Sequence, residues 1–129
     1  MLAIPLDKKS STTLSKLYGK APYFALLDTQ TGRFRVIENE VIGKGPKSAD
    51  FLKSKNATST IFYHMGEGVY NSFEKNNMDV YCANYNKYTI DEIYKKFLVN
   101  NNIKLNSTNY KELLDPGENE TCKCGCETK

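Results

Sequence analysis

Three cysteines, Cys122, Cys124 and Cys126, alternate with Lys123 and Gly125 near the end of the 129-residue sequence. Thiolates at i, i+2 and i+4 can converge on one soft metal or cluster if the backbone folds round it, and Gly125 gives the freedom to do so. Zinc, cuprous copper and an iron-sulfur cluster all suit such donors. A tetrahedral site needs one ligand more, from His64, Cys82, an inorganic sulfide or a partner protein. The spacing is not the paired Cys-x-x-Cys of a zinc ribbon, so the metal stays open, and a tail whose thiols do nothing specific is the plain alternative.

His64 is the only histidine in the chain. It follows Thr58 to Tyr63, a β-branched and aromatic run without polar alternation, as a strand covered on both faces requires. Gly66 and Gly68 predict a tight turn after it, and a helical pattern comes next. In open α/β sheets ligands bind outside the carboxyl ends of the strands, so this address favours a ligand or proton carrier, against a structural histidine held by hydrogen bonds. Cys82, within a predicted strand, suits burial as a small hydrophobe better than a nucleophile's role.

Gly43-Lys-Gly-Pro46 precedes a predicted helix, whose first amides could hold a small anion. A bland loop fits the spacing equally well. The pattern lacks the Lys-Ser/Thr ending of a phosphate loop and the glycine spacing of a dinucleotide site. Only Asp7 and Glu67 supply carboxylates near the proposed strand ends, too few for a metal nuclease.

Size and charge bound the rest. The length suits one domain with a real core. Net charge is +3, and the eighteen Lys and Arg are scattered singly or in pairs such as Lys8-Lys9 and Lys95-Lys96, a solvated surface and no nucleic-acid footprint. No apolar run approaches the roughly 18 residues of a membrane span, and residues 1–7 are too short and too soon charged for a signal peptide. The expectation is a cytoplasmic protein whose cysteines serve metal or redox chemistry before disulfides.

The elements that must position these residues follow in order. Leu2 to Leu6 is a short strand. Leu14, Leu17 and Tyr18 predict one face of a short helix within Ser11 to Gly19. Ala21 to Asp28 and Arg33 to Glu38 form a hairpin through Thr29-Gln-Thr-Gly32, with Phe34 between Arg33 and Arg35 marking a strand with one wet face. A helix with Pro46 at its first position buries Ala49, Phe51 and Leu52. Beyond the central strand, Val69, Tyr70 and Phe73 stripe a second helix that Asn76-Asn77 ends. Met78 to Ala83 is the last strand. Thr89-Ile-Asp-Glu92 is a capping box for a third helix with Ile90, Ile93, Phe97 and Leu98 at its period and Lys95-Lys96 near its carboxyl end. Thr108 to Leu114 forms a further short helix.

Helix and strand alternation implies right-handed parallel crossovers. The expected architecture is a three-layer α/β fold, a five-stranded mixed sheet with helices on both faces. Four loops then meet at one edge: Asp7 to Gly19, Asn39 to Gly45, His64 to Gly68 and Asn84 to Tyr88. The expected divisions are a domain over 1–100, an extension over 101–114 and a mobile Cys-rich tail over 115–129.

Leu14-Ser-Lys-Leu-Tyr-Gly-Lys-Ala-Pro-Tyr-Phe24, Leu27-Asp28-Thr29 with Gly32, Gly43-Lys-Gly45 and Met65-Gly-Glu-Gly68 together resemble the nitrogenase iron-molybdenum cofactor accessory family, across about residues 1 to 100. Val80-Tyr81 fits the same order. The resemblance implies a ribonuclease-H-like topology without nuclease activity, and a small non-enzymatic carrier holding an iron-sulfur or molybdenum-containing cluster, or its precursor, without covalent attachment. It places Tyr18, Gly19, Gly43, Gly45 and Gly66 at the cofactor, with His64 as the ligand to test. The family's usual His-Phe-Gly is here Leu17-Tyr18-Gly19, so a histidine often associated with the cofactor is missing. Some relatives carry a Cys-rich tail like Cys122 to Cys126, through which this chain would supply thiolates of its own. Two rivals remain: a thiol redox or metal-delivery module acting through the tail and docking a protein partner, and a regulatory domain binding a small anion at Gly43 to Pro46.

Overall fold

The computed structural model describes residues 1–114. The strands β1 (Leu2–Leu6), β2 (Tyr23–Leu27), β3 (Phe34–Glu38), β4 (Ser59–Phe62), β5 (Asp79–Cys82) and β6 (Ile103–Lys104) form one sheet in the order β3-β2-β1-β4-β5-β6. β1 pairs parallel with β4 and β4 with β5, whereas the β1–β2, β2–β3 and β5–β6 pairs are antiparallel.

The sheet therefore has six strands, not the expected five. Ile103 and Lys104 lie in an Asn-rich stretch too short to show a period. Their strand is made by its neighbour: they pair with Cys82 and Tyr81, the Leu105 amide donates to the Val80 carbonyl at 2.8 Å, and Lys104 meets Asp79 at 3.2 Å.

Two helix layers cover the sheet. α1 (Ser48–Ser54) and α2 (Glu67–Lys75) bury Ala49, Leu52, Tyr70 and Phe73 against Ala3, Phe24, Leu26, Phe62 and Val80. α3 (Ile90–Leu98) buries Ile90 and Ile93 on the opposite face, against Leu2, Ile4, Leu6, Ala25, Leu27 and Ile61. Successive residues of β1 thus serve different cores, which is why Leu2 to Leu6 is apolar throughout and wholly buried. Truncating fully buried Phe73 to alanine should cost about 3–5 kcal/mol. α4 (Tyr110–Leu113) stacks Tyr110 on Tyr70 with ring centroids 5.3 Å apart.

α3 starts and stops where its signals lie. The Glu92 amide donates to Thr89 Oγ1 at 3.1 Å while the Thr89 amide donates to Glu92 Oε1 at 2.9 Å, and Lys95 and Lys96 occupy the last turn. α1 starts later than the sequence suggests: Pro46 belongs to a 3-10 turn, Gly45–Lys47, and the α-helix begins at Ser48.

The helix expected within Ser11 to Gly19 does not form, apart from a 3-10 turn at Tyr18–Lys20. Its backbone donors are taken by neighbouring segments: the Leu14 amide donates to the Tyr88 carbonyl at 2.9 Å and the Ser15 amide to the Pro5 carbonyl at 2.8 Å. The apolar residues also diverge, Leu14 joining the α3 core, Tyr18 the α1–α2 core, and Leu17 standing exposed. No helix among the described residues is long and apolar enough to cross a membrane.

Candidate functional site

The carboxyl ends of β1, β4 and β5 lie at one edge of the sheet, and the β1–β2 loop is the hub to which the other loops there are tied. Thr13 bridges Thr89 and the Ile90 amide donates to the Thr12 carbonyl at 2.8 Å, fastening the β5–α3 loop. Leu17 bridges His64 at the end of β4. The Gly43 amide donates to the Gly19 carbonyl at 2.8 Å, fastening the β3–α1 loop. All four loops expected at this edge therefore meet there.

Two of them, through Leu17, Tyr18, Gly19 and Lys20 on one side and His64, Met65, Gly66 and Val69 on the other, line an open cavity of about 260 Å³. At roughly 30 Å³ per water it has room for several waters or a compact inorganic cluster. Gly66 is the N-cap of α2 and no side chain caps that end. The first amides of the helix, with the positive end of its dipole, thus border the cavity and favour negative charge. Lys20 adds a cation at the wall.

Larger hollows of about 410 and 440 Å³ lie at the opposite edge. The first carries Glu74 and Asp79, which oppose an anion, and the second lies among Asn56, Asn76 and Asn77 beside Lys53. Position and polarity favour the smaller cavity despite its volume.

The predicted site residues divide into two groups. Tyr18, Gly19, His64 and Gly66 line the cavity. Tyr18 is nonetheless a core residue: only 2% exposed, it packs edge-on against Phe24 and Phe73, and its hydroxyl meets Thr60 Oγ1 at 2.6 Å. Burial pushes its phenol pKa well above the usual tyrosine range, against a smaller opposing effect of the Thr60 bond. Gly43 and Gly45 stand behind the wall. Gly43 takes φ +78°, a conformation side chains disfavour, and Gly45 is buried against Gly19 and Val69.

The predicted glycine turn after β4 is corrected. Neither Gly66 nor Gly68 takes a positive φ; Gly66 is extended at φ −83°, ψ 163°, and Gly68 lies inside α2. Their lack of side chain leaves open space instead, since a β-carbon on either would meet nothing within 4 Å.

His64 is half-buried, with its ring edge-on to Tyr63 at 4.8 Å and to Tyr85 at 5.3 Å. Cys82 is buried, as expected for a small hydrophobe at the end of β5. Cys122, Cys124 and Cys126 lie outside the described residues. Among the described residues no three His, Cys, Asp or Glu side chains come together as a metal site. The groups lining the cavity are backbone amides, the His64 imidazole, the Met65 thioether and the Lys20 ammonium, too few donors to ligate an ion fully.

Sequence reasoning missed Leu17, Lys20, Met65 and Val69 in the wall, and Tyr85 beside His64. Lys20 could have been found as the one cation directly after Gly19. Val69 was assigned to the core by its helical spacing. Tyr85 gave no signal, because an aromatic in a polar loop has no period.

The sequence model of the family described as dinitrogenase iron-molybdenum cofactor matches residues 1–100. The chain belongs to that family. Among solved structures, it is similar to a putative NifB protein from Thermotoga, determined by NMR, at 27% identity and a TM-score of 0.65, over 81% of this chain and 91% of the other. The apo form of the orange protein from Desulfovibrio gigas shares the fold at 15% identity and a TM-score of 0.70, over 81% and 91% of the two chains. No curated protein sequence matches the chain. Membership in the dinitrogenase iron-molybdenum cofactor family rests on that match, and the mixed sheet is the fold shared with the solved structures.

Proposed function

We propose that this domain is a non-enzymatic carrier that holds a preassembled iron-sulfur or molybdenum-containing cluster, or its precursor, between Leu17–Lys20 and His64–Val69. The carrying observation is one cavity, bordered by the uncapped start of α2, Gly19, Lys20 and His64, in a chain of the dinitrogenase iron-molybdenum cofactor family. Contacts of this kind suit an anionic cluster that must later be released to a protein partner. The sparse ligand set matters for that purpose: each further thiolate would slow transfer. The order β3-β2-β1-β4-β5 with β2 reversed supports the ribonuclease-H-like comparison, with β6 added at one edge. A reducing cytoplasm would keep Cys122, Cys124 and Cys126 available to capture or pass on metal.

Anaerobic reconstitution with iron, sulfide and molybdate, followed by gel filtration, absorbance and metal analysis, tests the reading. The full chain and its Cys122→Ser/Cys124→Ser/Cys126→Ser variant should both retain a coloured species, and His64→Ala should retain less. A colourless, metal-free wild type overturns the proposal. Loss of all bound metal in the triple variant alone assigns the binding to the tail and favours the thiol-delivery module.

A further inference from the structure

The β5–α3 connection contains two consecutive non-glycine residues with positive φ, Asn84 at 53° and Tyr85 at 62°. With the Asn86 amide donating to the Ala83 carbonyl at 3.1 Å, Asn84 and Tyr85 occupy the two central places of a tight turn. Positive φ at both centres is the demand of a type I′ turn, which asparagine meets at the first place and glycine normally meets at the second. Tyrosine therefore stands where the backbone favours glycine. Its side chain is 57% exposed, so burial does not account for the choice.

What the conformation achieves is a ring contact. The Tyr85 ring lies 5.6 Å from that of Tyr63 and 5.3 Å from that of His64, while Tyr63 and His64 are 4.8 Å apart, and every pair meets edge to face. Lys16 Nζ lies 5.5 Å from the Tyr63 ring centre and closes the cluster from the β1–β2 loop. The turn is braced: the Asn84 amide donates to Cys82 Sγ at 3.2 Å, and Asn86 Nδ2 donates to the Ala83 and Asn84 carbonyls at 3.0 and 3.2 Å. Strain held by its surroundings, beside a cavity-lining histidine, is the pattern expected where a side chain is fixed for use.

We propose that Tyr85 is a positioning residue, held in a glycine-like turn so that its ring fixes the His64 imidazole at the cavity wall. Tyr85 need not touch cargo. Its contribution is to remove rotamer freedom from His64 before a cluster arrives, with Tyr63 as the second restraint. The proposal rests on the carrier reading for its purpose, but the restraint on His64 can be measured without any cargo.

The test uses the full chain and three variants, Tyr85→Gly, Tyr85→Phe and Asn84→Gly. Glycine suits the turn, so Tyr85→Gly should keep its melting temperature while losing the ring. Because the chain has a single histidine, its imidazole gives one isolated set of NMR signals. Those signals should shift and show faster ring motion in Tyr85→Gly, and remain as in wild type in Tyr85→Phe and Asn84→Gly. Loading with iron and sulfide should fall about threefold to tenfold in Tyr85→Gly and recover in Tyr85→Phe. Unchanged imidazole signals in Tyr85→Gly, or equal losses of melting temperature in the glycine and phenylalanine variants, overturn the assignment. If wild type takes up no cluster, the carrier reading fails and the NMR comparison still decides the role of Tyr85.

Discussion

Gly45 and Val69 are packed so closely that a β-carbon on the glycine would lie 2.7 Å from Val69 Cγ2. The contact joins the 3-10 turn before α1 to the first turn of α2, and Val69 is itself part of the cavity wall. A β-branched side chain has little room to yield. Gly45→Ala should destabilise the domain by about 1–3 kcal/mol, read by urea unfolding, and Val69→Ala should recover part of that loss in the double variant.

Gly66→Ala separates fold from cargo. A methyl there meets nothing within 4 Å, and the backbone at φ −83° accepts alanine. Unfolding free energy should fall by no more than about 1 kcal/mol, the cost of alanine in place of glycine at an N-cap. Cluster loading should drop, because the methyl would keep the cluster from the amides at the start of α2; full loading would show that this glycine is not part of the site.

How much of this was legible in the sequence depended on whether a residue's neighbours were local. The capping box of Thr89 and Glu92 is a four-residue pattern, and α3 was readable from end to end. Apolar runs fixed β1 and β4 for the same reason. Tyr18 and Leu14 have helical spacing, yet their partners Thr60 and Tyr88 lie far along the chain, so periodicity gave the wrong element. β6 exists only through β5. At the site, glycines at strand ends marked the edge correctly, but Gly45 is there for close packing and Gly66 for open space, a distinction that needs coordinates.

Tyr18 should give stability an alkaline limit. Burial raises its phenol pKa above the ordinary value of about 10, so below that pH both folded and unfolded chains carry it neutral and its contribution is complete. As pH rises past about 10 the unfolded chain releases this proton while the folded one keeps it, and stability falls by up to about 1.4 kcal/mol per pH unit. Tyr70 and Tyr81 are also raised, by burial first and then by the charges of Glu74 and Asp79, and add to the slope. Tyr18→Phe should flatten the fall without abolishing it. At neutral pH it should cost only about 0.5–1.5 kcal/mol, since the Thr60 hydroxyl keeps its 2.9 Å bond to the Ala3 carbonyl. Denaturant unfolding at pH 7 and above pH 10 checks both.

Lys20 tests the sign of the cargo's charge. It is exposed at the cavity wall, directly after Gly19. If the cavity takes an anionic cluster, Lys20→Glu replaces attraction by repulsion, worth about 1–4 kcal/mol at a separation of about 4 Å between an aqueous and a surface dielectric. Iron-sulfide loading at low salt should therefore fall by about tenfold or more, with Lys20→Ala intermediate. The differences should shrink as ionic strength rises, because exposed charges are screened over about 8 Å at physiological salt. Equal loading of all three proteins at low salt would mean that the cavity does not select for negative charge, and the uncapped start of α2 would then have to be explained without an anionic guest.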